Sequence, residues 1–312
     1  MLTHDVLARL SQLNRATAAP LLPRTVTTPN PGAQVSLPIT PDLAESDTSE
    51  LPSGEEVQNG WGKHWSRHQP INEVFPQWDS WLKSLTPQLS RLNDSQASSR
   101  ELSAFRSAFP ERTLFLDLET CGFAGSMVFL VGVIHSKAKT LTLSQLLARN
   151  YAEEKAVLQS LWTLAATNRV LVTFNGKSFD WPMVHDRSTI HHLGQQRCAS
   201  SPAEAPPLAV TEVADGLKRH DLRPELVHCD LLHHARRRWR DRLPNCKLQT
   251  LEQAICGRRR RGDIPGRDIP LAYHDFVRSG DAWQMRNVLH HNALDLVTLL
   301  QISMCVAGCT TN

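Results

Sequence analysis

Residues 113–119 read Thr-Leu-Phe-Leu-Asp-Leu-Glu (TLFLDLE), and the fold turns on this stretch. An apolar run leads into Asp117 and Glu119. Side chains of a strand alternate between its two faces, so acids two residues apart share one face. Like charges crowded at the end of an apolar strand repel, and a bound divalent cation is the usual compensation. A polar strand end turned to solvent is the competing reading, and this stretch alone leaves both open.

Downstream the pattern stays α/β. Residues 127–134 (MVFLVGVI) predict a second strand and 139–143 a third. Residues 152–167 predict a helix whose apolar face is Ala156, Leu158, Leu161, Leu164 and Ala165. Residues 170–174 (VLVTF) predict a fourth strand, followed by a short helix over 179–187. A polar insertion centred on SSPAEAPP is expected over 188–227. Helices near 230–241 and 247–256, a Gly/Pro loop over 257–270 and a closing helix over 281–306 complete the chain.

Upstream the composition changes. Ten of the 19 prolines lie between residues 20 and 87, mostly in polar sequence. Residues 1–60 therefore read as a disordered linker with a short amphipathic helix at 1–18. Large rings begin at Trp61 and need a surface to pack on, so 61–111 is expected to be an extension on the main domain, with a helix over 77–92. Seven cysteines without a CxxC pair argue against a zinc finger or a disulfide framework. With no secretory leader and no long apolar run, a cytoplasmic protein without a membrane span is expected.

Two further motifs join the first. In Phe174-Asn175-Gly176-Lys177-Ser178-Phe179-Asp180 a strand runs through a Gly turn into a helix, which places Asp180 in the first helical turn. Alone, Asp180 reads equally well as a helix-dipole acid and Asn175 as a turn residue. In the closing helix His291 and Asp295 are four apart and share a face, beside an apolar LDLVTLL that turns this helix toward the core. Between His233 and Asp268, eleven Lys and Arg stand against four acids, a pattern suited to a polyanion. Trp181 reads as a core ring, with base stacking as the alternative.

The ordered set, D-x-E on a strand, N-x3-F-D after a later strand and H-x3-D in the last helix, resembles the DEDD exonuclease superfamily of the ribonuclease-H-like fold. A closer resemblance is to the YprB-like family of ribonuclease-H-like domains. FLDLET (115–120), FLVGV (129–133), LVTFNGKSFDWP (171–182), DLLHHARRRW (230–239), CKLQTLE (246–252), DIPGRDIPLAY (263–273) and HNALDLVTL (291–299) carry it.

The resemblance implies a mixed β-sheet flanked by helices over 112–306. It also implies a 3′–5′ exonuclease acting on DNA or RNA through two Mg²⁺ or Mn²⁺ ions held by Asp117, Glu119, Asp180 and Asp295. Asp117 would bridge both ions, and His291 would act on the attacking water. His290, five before Asp295, is the alternative base. Asn175, Lys177, Arg258, Arg259, Arg260 and Arg261 are the expected nucleic-acid contacts. A nucleic-acid-binding module without catalysis and a small-nucleotide phosphodiesterase stay open as other functions. The sequence does not reveal a protein partner such as a helicase.

Overall fold

The computed structural model describes residues 49–81, 83, 99–122, 125–193 and 224–308. Seven strands form one sheet: β1 (Glu55–Asn59), β2 (Gly62–Pro70), β3 (Thr113–Thr120), β4 (Val128–Lys137), β5 (Thr140–Leu147), β6 (Val170–Thr173) and β7 (Val227–Asp230). Their spatial order is β1-β2-β5-β4-β3-β6-β7. The pairs from β1 to β3 are antiparallel, while β3–β6 and β6–β7 are parallel. Parallel neighbours need crossovers long enough to hold a helix. Those helices are α2 (Glu154–Ala166) before β6 and α3 (Asp180–Ile190) after it, with α1 (Arg100–Ala108) preceding β3. The chain closes with α4 (Leu231–Trp239), α5 (Leu248–Ile255), α6 (Ile269–Ser279) and α7 (Trp283–Gly308). The mixed sheet flanked by helices expected from the sequence is therefore present.

Strand alternation in β3 divides the core in two. Leu114 and Leu116 face a layer that includes Val157, Leu158, Leu161, Val184 and Tyr273. Phe115 faces the other, with Phe105, Val172, Leu296 and Leu300. Asp117 and Glu119 continue the Phe115 side and meet α7. The close approach of α7 depends on Gly132, which pairs with Asp117 across β3 and β4. A Cβ at Gly132 would run into the side chain of Asn292. We therefore expect Gly132→Ala to destabilise the fold by about 1–3 kcal/mol, the usual cost of overpacking. A denaturant midpoint unchanged from wild type would contradict that packing.

Several boundaries differ from the sequence reading. The linker expected through residue 60 ends earlier, because 55–59 form edge strand β1 paired with β2. Ser49 and Glu50 also bond to the start of α7: the Ala282 N–H donates to the Ser49 carbonyl at 2.7 Å and Arg286 Nε to the Glu50 carbonyl at 2.9 Å. EEVQN gives little hydropathy signal, because this edge strand is exposed along most of its length. The 61–111 segment is more than an appended layer, since β2 pairs with β5 inside the sheet. Helix α6 starts at the end of the loop expected over 257–270 and fills the stretch before the closing helix, to which the sequence reading gave no element. Pro270 sits in its first turn, where a missing N–H costs nothing, and Ile269, Ala272, Tyr273 and Phe276 are its buried face. The insertion is narrower than 188–227, since α3 runs to Ile190 and β7 starts at Val227. The expected helix at 1–18, residues 82 and 84–92 of the expected 77–92 helix and residues 194–223 of the insertion lie outside the described residues.

Candidate active site

Three elements deliver the carboxylates. Asp117 and Glu119 come from the end of β3, Asp180 from the first residue of α3, and Asp295 from the middle of α7. The turn before α3 is built for this. Asn175 adopts the left-handed conformation (φ 66°), a region Asn tolerates better than most residues. A Cβ on Gly176 would meet the Thr173 side chain at 2.5 Å, so only glycine fits there. Buried Asp230 clamps the turn: its carboxylate accepts the N–H of Asn175 at 2.7 Å, of Lys177 at 3.1 Å and of Leu232 at 3.0 Å. The backbone of Leu118, which lies between the two β3 acids, acts on the Asp180 carboxylate and opposes the rise that burial causes.

Asp117, Glu119 and Asp180 are shifted by burial and by the neighbouring carboxylates. Burial first, and then the charges of Asp295, Glu119 and Asp180, hold Asp117 well above the ordinary carboxylate range. Glu119 is pushed up to about 8 by burial, with Asp295 and Asp180 adding to the effect against the opposing charge of His291. Asp180 rises to about 7, again chiefly through burial. Such a set of hard oxygen donors fits Mg²⁺ or Mn²⁺ better than a soft metal.

His291 and His290 separate clearly. The Nδ1 of His291 lies 2.9 Å from both oxygens of Asp263, and its Nε2 lies 3.4 Å from Asp295 Oδ2. Burial alone would lower this imidazole. The Asp263 hydrogen bond and the charges of Asp295 and Glu119 outweigh burial and raise it. His290 is lowered, chiefly by burial. Geometry therefore places His291 beside the acids.

The basic cluster behaves differently from the expectation. Arg258 is buried, paired with Glu252 and donating to Thr298 Oγ1 at 2.5 Å. Arg260 contacts Glu252 at 2.6 Å, Asp263 at 3.1 Å and also Asp295. Arg258 and Arg260 are thus corrected from substrate contacts to members of an internal ion-pair network, because Glu252 is buried between them and needs both charges. Arg259 and Arg261 are exposed. The ammonium of Lys177 rests on Glu101 at 2.5 Å. Trp181 is a half-buried ring, edge-on to Trp162, His185 and His228. It belongs to the packing, as the core reading expected.

Three participants had no assigned role in the sequence reading. Asn292 donates from Nδ2 to Asp117 Oδ2 at 2.8 Å and is itself held by Gln145 Nε2 at 3.1 Å. Asp263 orients His291, and Asp230 orients the Asn175 turn. Asn292 lies one residue after His291, a hint available in HNALD; the other two could be read only as acids in quoted motifs.

A family model of the RNase_H superfamily matches residues 114–306, which span all four acids. The chain belongs to the RNase_H superfamily. A protein named "Uncharacterized protein YprB" in Bacillus subtilis (strain 168) is 32% identical over 191 residues, covering 60% of this chain and 40% of that protein. The chain thus carries a YprB-like ribonuclease-H-like domain of nuclease type, and its aligned part spans less than half of that relative. Domains of this superfamily generally use divalent metals, in keeping with the donor set described above. Among the described residues no helix is long and apolar enough to cross a membrane.

Proposed function

We propose that this RNase_H-superfamily domain is a metal-dependent 3′–5′ exonuclease that hydrolyses phosphodiester bonds of DNA or RNA. The observation that carries the reading is the convergence of Asp117, Glu119, Asp180 and Asp295 from three elements, with His291 against Asp295. Two Mg²⁺ or Mn²⁺ ions would be held here, Asp117 serving both, Glu119 and Asp295 the first and Asp180 the second. Such ions would lower the pKa of water and offset charge on the attacked phosphate. Asn292 keeps the Asp117 carboxylate in place, and Asp263 fixes the imidazole so that Nε2 faces the cluster. From Nε2, His291 takes the proton of the attacking water.

A 3′- and a 5′-labelled oligonucleotide, each incubated with Mn²⁺, test this reading. A 5′ label should yield a ladder shortening from the 3′ end, and a 3′ label should release a mononucleotide at once. Binding without cleavage would favour the inactive module. Hydrolysis of free nucleotides but of no oligonucleotide would favour the small-nucleotide enzyme.

The arginine assignment gives a contrast of its own. Arg259→Ala with Arg261→Ala should weaken oligonucleotide binding and flatten its dependence on salt, because each phosphate contact adds to that slope. Arg258→Ala should instead cost about 3–5 kcal/mol of stability by stripping a buried ion pair. Thermal melts and salt-dependent binding isotherms of both variants separate the roles. An unchanged salt slope in the double variant would remove Arg259 and Arg261 from the binding surface.

A further inference from the structure

A second group of metal-ligating side chains lies apart from the four acids. Near the end of β7 stands Cys229, whose thiol meets Glu101 from the first turn of α1 and His234 from α4. One ligand atom from each lies within 4.8 Å of the others. Cys229 and His234 are buried, while Glu101 is 29% exposed and opens the group toward solvent. His234 Nε2 stands 3.0 Å from one Glu101 oxygen, and Lys177 Nζ 2.5 Å from the other. Burial pushes the Cys229 thiol up to about 12, so it keeps its proton unless a cation takes the proton's place.

We propose that Glu101, Cys229 and His234 bind one borderline-soft divalent ion of the Zn²⁺ type, at a site that shares no residue with the carboxylate cluster. The donor set decides the class of ion. A thiolate and an imidazole favour zinc or cobalt over magnesium or calcium, which prefer oxygen throughout. The Glu101 carboxylate and Cys229 thiolate supply two negative charges to a dipositive ion, with His234 neutral and the Lys177 ammonium beside the outer Glu101 oxygen. Uptake releases the Cys229 proton to water as the sulfur–metal bond forms, and an imidazole nitrogen gives its lone pair. Three protein ligands leave a fourth, tetrahedral position for water on the exposed Glu101 side. The ion would pin α1 to β7 and α4 at the base of the turn that carries Lys177.

Co²⁺ titration of the chelator-treated full chain, kept reduced without thiols, tests the site. We expect thiolate-to-cobalt charge-transfer absorption that saturates at one ion per chain and is displaced by Zn²⁺ but not by excess Mg²⁺. Cys229→Ser should abolish this absorption, and His234→Ala should weaken binding by roughly 10-fold or more. Asp117→Asn should leave it intact, which separates this site from the four acids. Glu101→Gln, at the half-exposed position, serves as a second variant should Cys229→Ser fail to fold, and it should also weaken Co²⁺ binding. Absence of a thiolate band in the wild type, its survival in Cys229→Ser, or unchanged affinity in Glu101→Gln would each overturn the proposal.

Discussion

Asp117→Asn is expected to abolish hydrolysis while making the metal-free protein more stable. Asp117 stands among Glu119, Asp180 and Asp295; burial first, and then their repulsion, make its carboxyl resist ionisation. Replacing it with a neutral amide of the same shape removes a metal ligand and one repelling charge together. Each kcal/mol of repulsion relieved should raise the melting temperature of the metal-free form by about 2–4 °C. The same crowding sets a pH dependence. Glu119 titrates at about 8 and Asp180 at about 7 in the folded protein, against ordinary values of 4.5 and 3.8. Across that interval the folded protein holds more protons than the unfolded chain, so stability falls as pH rises. Mg²⁺ or Mn²⁺ should flatten the slope, because a bound cation favours the ionised carboxylates. Melts of metal-free wild type and Asp117→Asn at several pH values read both effects. Full hydrolysis by Asp117→Asn would remove the acids from the mechanism, and a melting temperature that rises with pH in the metal-free form would remove the crowding.

His291→Ala is expected to lower turnover by roughly 10²–10⁴, the usual contribution of a positioned proton acceptor. The rate of the wild type should fall at acid pH as the imidazole takes up a proton. Asp263 and Asp295 hold that imidazole above its ordinary value, so the loss should begin at a higher pH than for an unperturbed histidine. Asp263→Asn should shift that limb to lower pH, which a purely structural contact would not do. Metal affinity should change less in His291→Ala than in Asp117→Asn. His290→Ala should have a smaller effect on turnover, since its ring is not the one beside Asp295. Single-turnover rates of the two histidine variants decide the assignment: loss of activity in His290→Ala with retention in His291→Ala would move the base by one residue.

Much of this site was legible because its motifs are local. Asp117 and Glu119 share a face by strand alternation, and His291 and Asp295 share one by helical spacing. The edge strand β1 escaped because an exposed strand carries no apolar alternation. Helix α6 escaped because Pro270 reads as a breaker until its place in the first turn is known. Asp230 was visible only as the first letter of DLLHHARRRW, although it holds the turn that carries Asp180.

By itself the sequence determined the α/β class, the order of the motifs and the residue types able to hold a hard cation. Those properties rest on spacings of two, three and four residues, which backbone geometry converts directly into shared faces. Only the tertiary structure decided which arginines face solvent, which histidine meets Asp295 and which amide steadies Asp117. Arg258 to Arg261 are equivalent in sequence, but Glu252 is buried and recruits Arg258 and Arg260 as its counterions. A charge taken out of water must find a partner, and that partner stands elsewhere in the chain.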